Sequence, residues 1–238
     1  MQTAIITGAS RGLGLALARA LAQRGYRLVI DARGAPALEL AADELELHAR
    51  RAGHQPAVEA IVGDVTDDWH RGGLVTAAGE RVDLLVNNAS TLGPSPQPEL
   101  ADYPADELER VYAVNVRAPL ALTQLALPLM PAGGRIINVT SDAALEAYAG
   151  WGGYGSSKAA LEQLTAILGT EQPQLRVYAV DPGDMRTQMH QEAFPDEDIS
   201  DRPPPEESVP GLLELIESDL PSGRYRAAEL VQARVAAR

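Results

Sequence analysis

Short apolar runs alternate with longer amphipathic stretches along this chain. Six runs of about five or six residues are apolar on both faces, which is typical of parallel strands covered by helices on both sides. They predict strands at residues 3–7, 27–32, 57–62, 82–87, 135–140 and 176–180. A helical period predicts helices near residues 12–24, 36–52, 67–79, 104–130 and 155–171. This alternation predicts an α/β fold with right-handed crossovers and a doubly wound sheet.

Composition narrows the class of protein. The 238 residues correspond to one large domain or two small ones, and 33 acidic against 20 basic residues give a net charge of −13. That charge repels phosphate backbones, so we expect no nucleic-acid partner. The absence of cysteine excludes disulfides, thiol nucleophiles and thiolate zinc sites, and the four histidines lie far apart in sequence, so we expect no metal site.

Membrane and export signals are weak in the sequence. Its apolar stretches are all broken before 18 residues, so we expect no transmembrane helix. No basic region precedes the first apolar run, which favours a first strand over a signal peptide. We therefore expect a cytoplasmic protein.

A glycine-rich turn follows the first predicted strand and leads into a helix. Free amides and the helix dipole make such a turn an anion site. Gly8 would permit the tight turn, Gly12 would let a pyrophosphate approach the backbone, and Gly14 would let the helix pack closely on the strand. The spacing is G-x3-G-x-G instead of the usual G-x-G-x-x-G, so a purely structural role for these glycines remains the alternative.

A second group of residues has the chemistry of an acid–base site. Tyr154 and Lys158 share one face of a predicted helix, and Ser141 ends a predicted strand. A lysine cation at about 4 Å would lower a phenol pKa from about 10 toward 7, enough for a general acid/base. The alternative is an exposed tyrosine and a solvated lysine at a helix start.

These two groups occur in an order that resembles the short-chain dehydrogenase/reductase family. Asn87-Asn88-Ala89 after the fourth strand, Asn115, and Pro182-Gly183-x3-Thr187 complete the pattern, which covers the chain from Thr3 to about Thr187. The resemblance implies one Rossmann-type domain, residues 1–238, with a doubly wound parallel sheet of about six or seven strands and helices on both faces. It departs at Ser90, where the family commonly has glycine, and in the 222–226 segment, where a last strand is weakly indicated.

The resemblance implies an enzyme that interconverts a carbonyl and an alcohol on a small molecule. Tyr154 would exchange the proton, Ser141 would orient the substrate oxygen, Lys158 would bind the nicotinamide ribose and lower the tyrosine pKa, and Asn115 would support a water-linked proton relay. The implied cofactor contacts are Gly8, Ser10, Arg11, Gly12, Leu13, Gly14, Arg33, Asp64, Val65, Asn88, Ala89, Tyr154, Lys158, Pro182, Gly183, Met185 and Thr187. The non-enzymatic alternative is a catalytically silent dinucleotide-binding or sensing protein on the same fold.

The choice between NADP and NAD depends on the register of the second strand. Asp31 is a candidate ribose-binding acid of an NAD enzyme, but the family's acid usually aligns one place later, at Ala32. Arg33 and Arg11 match positions where NADP-preferring relatives keep basic residues, and they would compensate the 2′-phosphate. We therefore predict NADP(H), with NAD(H) as the alternative.

Three further features concern the substrate and assembly. Residues 188–210 are acidic and proline-rich, and form either a solvated loop or a lid over the site, in which His190 is a candidate substrate contact. The loop of residues 142–153 offers carboxylates and aromatic rings for a cationic or polar substrate, or for solvent alone. Leucines and isoleucines on the helices near 104–130 and after Tyr154 would pair with a partner's copies in a homodimer or homotetramer, or pack on the sheet.

Overall fold

Seven parallel strands form one sheet in the order β3-β2-β1-β4-β5-β6-β7 in the computed structural model, which describes residues 1–236 and the side chains of residues 1–233. The strands are β1 (Thr3–Ile6), β2 (Arg27–Ala32), β3 (Val58–Val62), β4 (Leu84–Asn87), β5 (Arg135–Val139), β6 (Arg176–Asp181) and β7 (Gly223–Arg226). The predicted doubly wound sheet is confirmed, and the weakly indicated last strand is β7. The strand order reverses between β1 and β4, where ligands bind in such sheets.

Helices cover both faces of the sheet. Their bounds are α1 (Gly12–Ala22), α2 (Ala35–Arg51), α3 (Asp68–Ala78), α4 (Ala105–Tyr112), α5 (Ala118–Ala126), α6 (Gly152–Glu171), α7 (Gln188–Ala193), α8 (Val209–Glu217) and α9 (Ala227–Ala236). Alternate β1 side chains separate the two cores: Ala4 and Ile6 pack with α1, α2 and α8, whereas Ile5 packs with α3 and α5. No helix in this described part of the chain has the length and apolar character needed to cross a membrane.

The helix predicted at residues 104–130 is interrupted in the structure. Between α4 and α5 the backbone forms a π-helical segment, Ala113–Arg117, and α5 ends in a 3₁₀ turn, Leu127–Leu129. A π-helical turn inserts an extra residue and commonly marks a functional site. Here it carries Asn115, which is buried.

The outermost strand differs from its predicted character. The sequence predicts β3 to be apolar on both faces, but Glu59 and Ala60 are exposed and Val62 is 47% exposed. The reason is position, since β3 pairs with β2 and ends the sheet at that side. An edge strand has one open side and does not need two buried faces.

Candidate active site

The glycine-rich turn joins β1 to α1 at the carboxyl edge of the sheet. Gly8 has φ +67°, and a Cβ there would lie 2.9 Å from the Ala89 Cα. A Cβ on Gly14 would lie 2.6 Å from the Gly8 carbonyl oxygen. Gly12 has φ +58° and an added Cβ would meet only Thr187 Cγ2, at 3.7 Å. Gly8 and Gly14 therefore permit close packing of the turn, while Gly12 leaves open space in front of the helix N-terminus.

Asn88 holds this turn from the neighbouring strand. Its side-chain amide donates to the carbonyl oxygens of Thr7, at 2.8 Å, and Gly8, at 3.1 Å. The main-chain amides of Asn88 and Ala89 both donate to the Thr7 hydroxyl at 3.0 Å. The side-chain amide of Asn88, a predicted cofactor contact, is thus hydrogen-bonded to the backbone of the turn.

The end of β2 resolves which side chain faces inward. Asp31 is 1% exposed, and its carboxylate accepts a hydrogen bond from the Gly8 main-chain amide at 2.7 Å. Ala32 is half-buried and Arg33 is exposed. Asp31 therefore points into the fold beneath the turn, and Arg33 is the charged side chain at the surface of this strand end.

Three more of the predicted cofactor residues, Asp64, Leu13 and Arg11, lie at the same edge of the sheet. Asp64 follows β3, and its carboxylate accepts from the main-chain amide and hydroxyl of Thr66 at 2.8 and 2.7 Å. Burial opposes ionisation of Asp64, but these hydrogen bonds outweigh it and lower its pKa. Leu13 has its side chain in the core, so only its main chain is free to contact a ligand. Arg11 instead donates to the side-chain oxygen of Gln188, the first residue of α7.

The remaining implied contacts lie around the turn and after β6. Ser10 and Val65 are half-buried, as are Pro182 and Met185. Gly183 has φ +77° and donates to the Asp181 carboxylate at 3.0 Å. Thr187 caps α7 and accepts from the His190 main-chain amide at 3.3 Å, which seats it opposite Gly12.

Ser141, Tyr154 and Lys158 come together where β5 meets α6. Ser141 follows the last residue of β5 by two positions, and Tyr154 and Lys158 lie on successive turns of α6. The Lys158 amine donates to the Val139 carbonyl at 2.8 Å and lies 5.5 Å from the centre of the Tyr154 ring. Tyr154 and Lys158 are 8% and 2% exposed, so the alternative of an exposed tyrosine and a solvated lysine is wrong.

The ionisation of this pair differs from the sequence expectation. Burial raises the pKa of Tyr154 above its ordinary value, and the carboxylates of Asp181 and Asp142 add to this, against a hydrogen bond with Ser141 that lowers it. Burial also lowers the pKa of Lys158 to about 7, although the nearby Glu162 carboxylate favours the cation. In the structure the pKa of Tyr154 is thus raised and not lowered as predicted, because desolvation by burial outweighs the hydrogen bond with Ser141.

Asn115 ties the loop after β4 to α6. Its amide nitrogen donates to the Thr91 carbonyl and the Ser157 hydroxyl, both at 2.9 Å. Its oxygen accepts from the Ser90 hydroxyl at 3.0 Å and the Thr91 amide at 2.9 Å. These four bonds use the full capacity of an asparagine side chain, so an Asn115 contact to water would have to use its main chain.

Ser90 and Ser157 were not identified from sequence as partners of Asn115. The serine at position 90 departs from the family's usual glycine, and the structure assigns its hydroxyl a defined acceptor. Nothing in the spacing of these residues signals the contacts, because Asn115 bonds with Ser90, 25 residues earlier, and with Ser157, 42 residues later.

A network of charged side chains lies next to Lys158 and is centred on Glu162 and Arg224. The Glu162 carboxylate, one turn after Lys158, accepts from the Thr140 hydroxyl at 2.7 Å and from Arg224 of β7 at 2.9 Å. Arg224 also contacts Asp181 at 3.3 Å. Arg224 therefore links the chain after β5 and the end of β6 to the middle of α6. Sequence reasoning missed it because β7 is short and polar.

The first residues of the 188–210 segment pack over Tyr154. Met189 and Ala193 of α7 join an apolar cluster with Tyr154 and Leu92. Trp151 lies between Tyr154 and Phe194, with ring centres 5.7 Å apart on each side. Residues 188–194 are therefore folded against the site and are not a fully solvated loop.

His190 and the 142–153 loop complete the surroundings. The His190 ring lies 5.0 Å from Phe194, and its buried Nε2 has no hydrogen-bond partner among the side chains that the structure describes. The Tyr148 hydroxyl contacts both the Asp142 and Glu146 carboxylates, at 3.0 and 2.9 Å. The mouth of the site is thus aromatic inside and acidic outside.

Comparison with known proteins gives the same family throughout. Residues 2–198 match the family model of short chain dehydrogenases. A 2-(R)-hydroxypropyl-CoM dehydrogenase of Xanthobacter autotrophicus is 36% identical over 199 residues, which cover 80% of this chain and 77% of that protein.

Solved structures agree in fold. A short chain dehydrogenase from Pseudomonas syringae superposes with a TM-score of 0.86 at 30% identity, over 95% of this chain and 94% of its own. A short chain dehydrogenase from Shigella flexneri, solved in complex with NADP, superposes with a TM-score of 0.85 at 27% identity, over 95% of this chain and 97% of its own. This chain, with its glycine turn and its buried tyrosine–lysine pair, belongs to the short chain dehydrogenase family of oxidoreductases.

Proposed function

We propose that this protein is an NADP(H)-dependent oxidoreductase that interconverts a carbonyl and an alcohol on a small molecule, with Tyr154 as the general acid/base. The observation that carries the proposal is the pairing of two buried side chains on α6. Tyr154 lies one helical turn before Lys158, whose amine is 5.5 Å from the centre of the tyrosine ring. These groups lie at the same edge of the sheet as the open glycine turn.

The residues at this edge fit a nicotinamide dinucleotide. Gly12 leaves room where a Cβ would stand, and the first amides of α1 face that space as an anion site. These amides would hold the pyrophosphate, and Lys158 would hold the nicotinamide ribose. The nicotinamide supplies the hydride chemistry when bound.

The chain's own residues supply the proton. Because the pKa of Tyr154 is raised, its phenol stays protonated at neutral pH and can donate to a developing alkoxide. Ser141 orients the carbonyl oxygen, and the Lys158 ammonium stabilises the phenolate that remains. Trp151 and α7 keep water away from the transfer.

Turnover tests this function against the silent alternative. We expect oxidation of NADPH, followed by nicotinamide absorbance, with at least one member of a panel of ketones and aldehydes. Tight NADPH binding with no turnover across the panel, and none in reverse with alcohols and NADP, would favour a dinucleotide sensor.

Arg33 is proposed to select NADP over NAD. It is the exposed charge at the end of β2, while the Asp31 carboxylate is turned inward. A lost arginine–phosphate contact should weaken NADPH binding by about tenfold to a hundredfold in Arg33→Ala. NADH lacks the 2′-phosphate, so its affinity should hardly change.

The control for Arg33 is Arg51→Ala, which removes the same charge from an exposed position at the other end of α2. Titrations of both variants with both cofactors measure the effect. An equal loss for NADPH and NADH in Arg33→Ala, or an equal NADPH loss in Arg51→Ala, contradicts this role.

Residues 188–210 are proposed to act as a substrate lid. The support is the packing of Met189, Ala193 and Phe194 over the ring system of Tyr154 and Trp151. Such a lid should exchange its amide hydrogens more slowly when cofactor and substrate are bound. Exchange that is unaffected by both ligands contradicts it.

A homodimer or homotetramer is proposed from the outer helix faces. Of the apolar residues predicted for an interface, Leu122 and Leu161 are buried within the chain, but Leu120, Leu125 and Ile167 are 37–44% exposed. These three occupy α5 and α6, where a partner's copies would cover them. A purely monomeric mass in light scattering at micromolar concentration would refute the assembly.

A further inference from the structure

Two buried titratable side chains beneath the glycine turn have no part in the proton chemistry. Asp31 and His70 are 1% and 8% exposed, and the Asp31 Oδ2 lies 2.8 Å from the His70 Nε2. Both lie near the adenosine end of the proposed cofactor site, far along the sheet from Tyr154. Buried polar groups of this kind are costly unless they are hydrogen-bonded.

Asp31 holds two consecutive amides of the turn. Its side-chain Oδ1 accepts from the Gly8 amide at 2.7 Å, and its main-chain oxygen accepts from the Ala9 amide at 2.9 Å. Gly8 has the left-handed φ of +67° that begins the turn. One residue at the end of β2 thus sets the direction in which the chain leaves β1.

His70 fixes the Asp31 carboxylate from the opposite side. It projects from the first turn of α3 into the space beside Gly63, where a Cβ would lie 2.2 Å from the ring Nδ1. A residue other than glycine at position 63 would expel the ring. The ends of β2 and β3, the glycine turn and α3 therefore meet at one carboxylate–imidazole contact.

From this geometry we propose that Asp31 and His70 are a positioning pair for cofactor binding. The pair sets the Gly8–Ala9 conformation that aims the amides of α1 at a phosphate. It also engages both carboxylate oxygens inside the fold, which keeps this acid away from the ribose and leaves Arg33 as the charge that a 2′-phosphate meets. The inference rests on the cofactor site proposed above.

The test compares Asp31 with a matched buried aspartate at the other end of β1. Asp83 is 6% exposed, accepts from the Thr3 amide at 2.9 Å and pairs with Arg81 at 2.7 Å. Asp31→Ala and Asp83→Ala should both lower the unfolding temperature, since each leaves a buried amide without its acceptor. Only Asp31→Ala should weaken NADPH binding, by at least about tenfold.

Conservative variants separate positioning from general stability. Asp31→Asn keeps an acceptor for the Gly8 amide, and His70→Gln keeps a donor for the Asp31 carboxylate, so both should bind NADPH within about threefold of wild type. His70→Ala should bind it as weakly as Asp31→Ala. If Asp31→Ala does not fold, the comparison of His70→Ala with His70→Gln and Asp83→Ala carries the test.

Each outcome has a distinct meaning. Wild-type protein that binds neither NADPH nor NADH overturns the proposed cofactor site itself. Wild-type binding with unchanged affinity in Asp31→Ala and His70→Ala, or an equal loss in Asp83→Ala, overturns the positioning pair and leaves the proposed function standing.

Discussion

Tyr154→Phe is expected to lower turnover by about two to four orders of magnitude, because it removes the proposed proton donor and little else. The ring keeps its packing against Trp151 and its place beside Lys158, so the fold should be retained. NADPH affinity should change less than about twofold, since the lost hydroxyl is proposed to face the substrate oxygen. Steady-state kinetics and a cofactor titration on one preparation measure both.

Tyr178→Phe is the matched control for this variant. Tyr178 is fully buried, and its hydroxyl donates to the Leu220 carbonyl at 2.8 Å, away from the proposed site. Its loss should cost about 1 kcal/mol of stability and leave turnover intact. Near-normal activity in Tyr154→Phe, or equal losses in the two variants, would remove Tyr154 from the mechanism.

The strands and the order of the motifs were predictable from sequence because both depend on local pattern. The central strands are buried on both faces, so their apolar runs are unbroken, and glycine or proline marks most of the connections between strands and helices. The exposed face of β3 was not predictable, since an edge position depends on which strands pair. The π-helical turn at Asn115 was missed for a related reason, because four contacts from other elements surround it.

In the candidate site, the sequence pattern identified the residues, but their ionisation and contacts depend on the tertiary structure. Tyr154 and Lys158 were identified by spacing, but their pKa directions follow from burial, which spacing does not contain. The sequence left open whether Asp31 or Ala32 faces the ribose. It did not indicate the contact of Asp31 with His70, because the two residues lie 39 positions apart. Arg224 belongs to a polar strand that resembles a loop in sequence, although it links Glu162 to Asp181.

Lys158 is the only lysine among the 238 residues, against 19 arginines, so it can be observed selectively. Arginine remains charged at any accessible pH, whereas a buried lysine can lose its proton. In protein labelled with ¹³C at the lysine ε-carbon, a single NMR resonance should titrate with a pKa of about 7 instead of 10.5. A midpoint near 10.5 would contradict the desolvated amine.

Lys158→Met is expected to abolish most turnover and weaken NADPH binding, yet stabilise the cofactor-free protein near neutral pH. The folded pKa of about 7 lies below the unfolded value near 10.5, so between these values the unfolded chain binds more protons. The lysine therefore destabilises the fold fully below about pH 7, and this effect fades as the pH rises toward 10.5. The loss of the bond to the Val139 carbonyl opposes the gain by about 1 kcal/mol at every pH. Near pH 6.5 the unfolding temperature of Lys158→Met should lie a few degrees above that of the wild type, and near pH 10 this difference should shrink or reverse. A difference in unfolding temperature that does not depend on pH would mean that the amine is not desolvated in the fold.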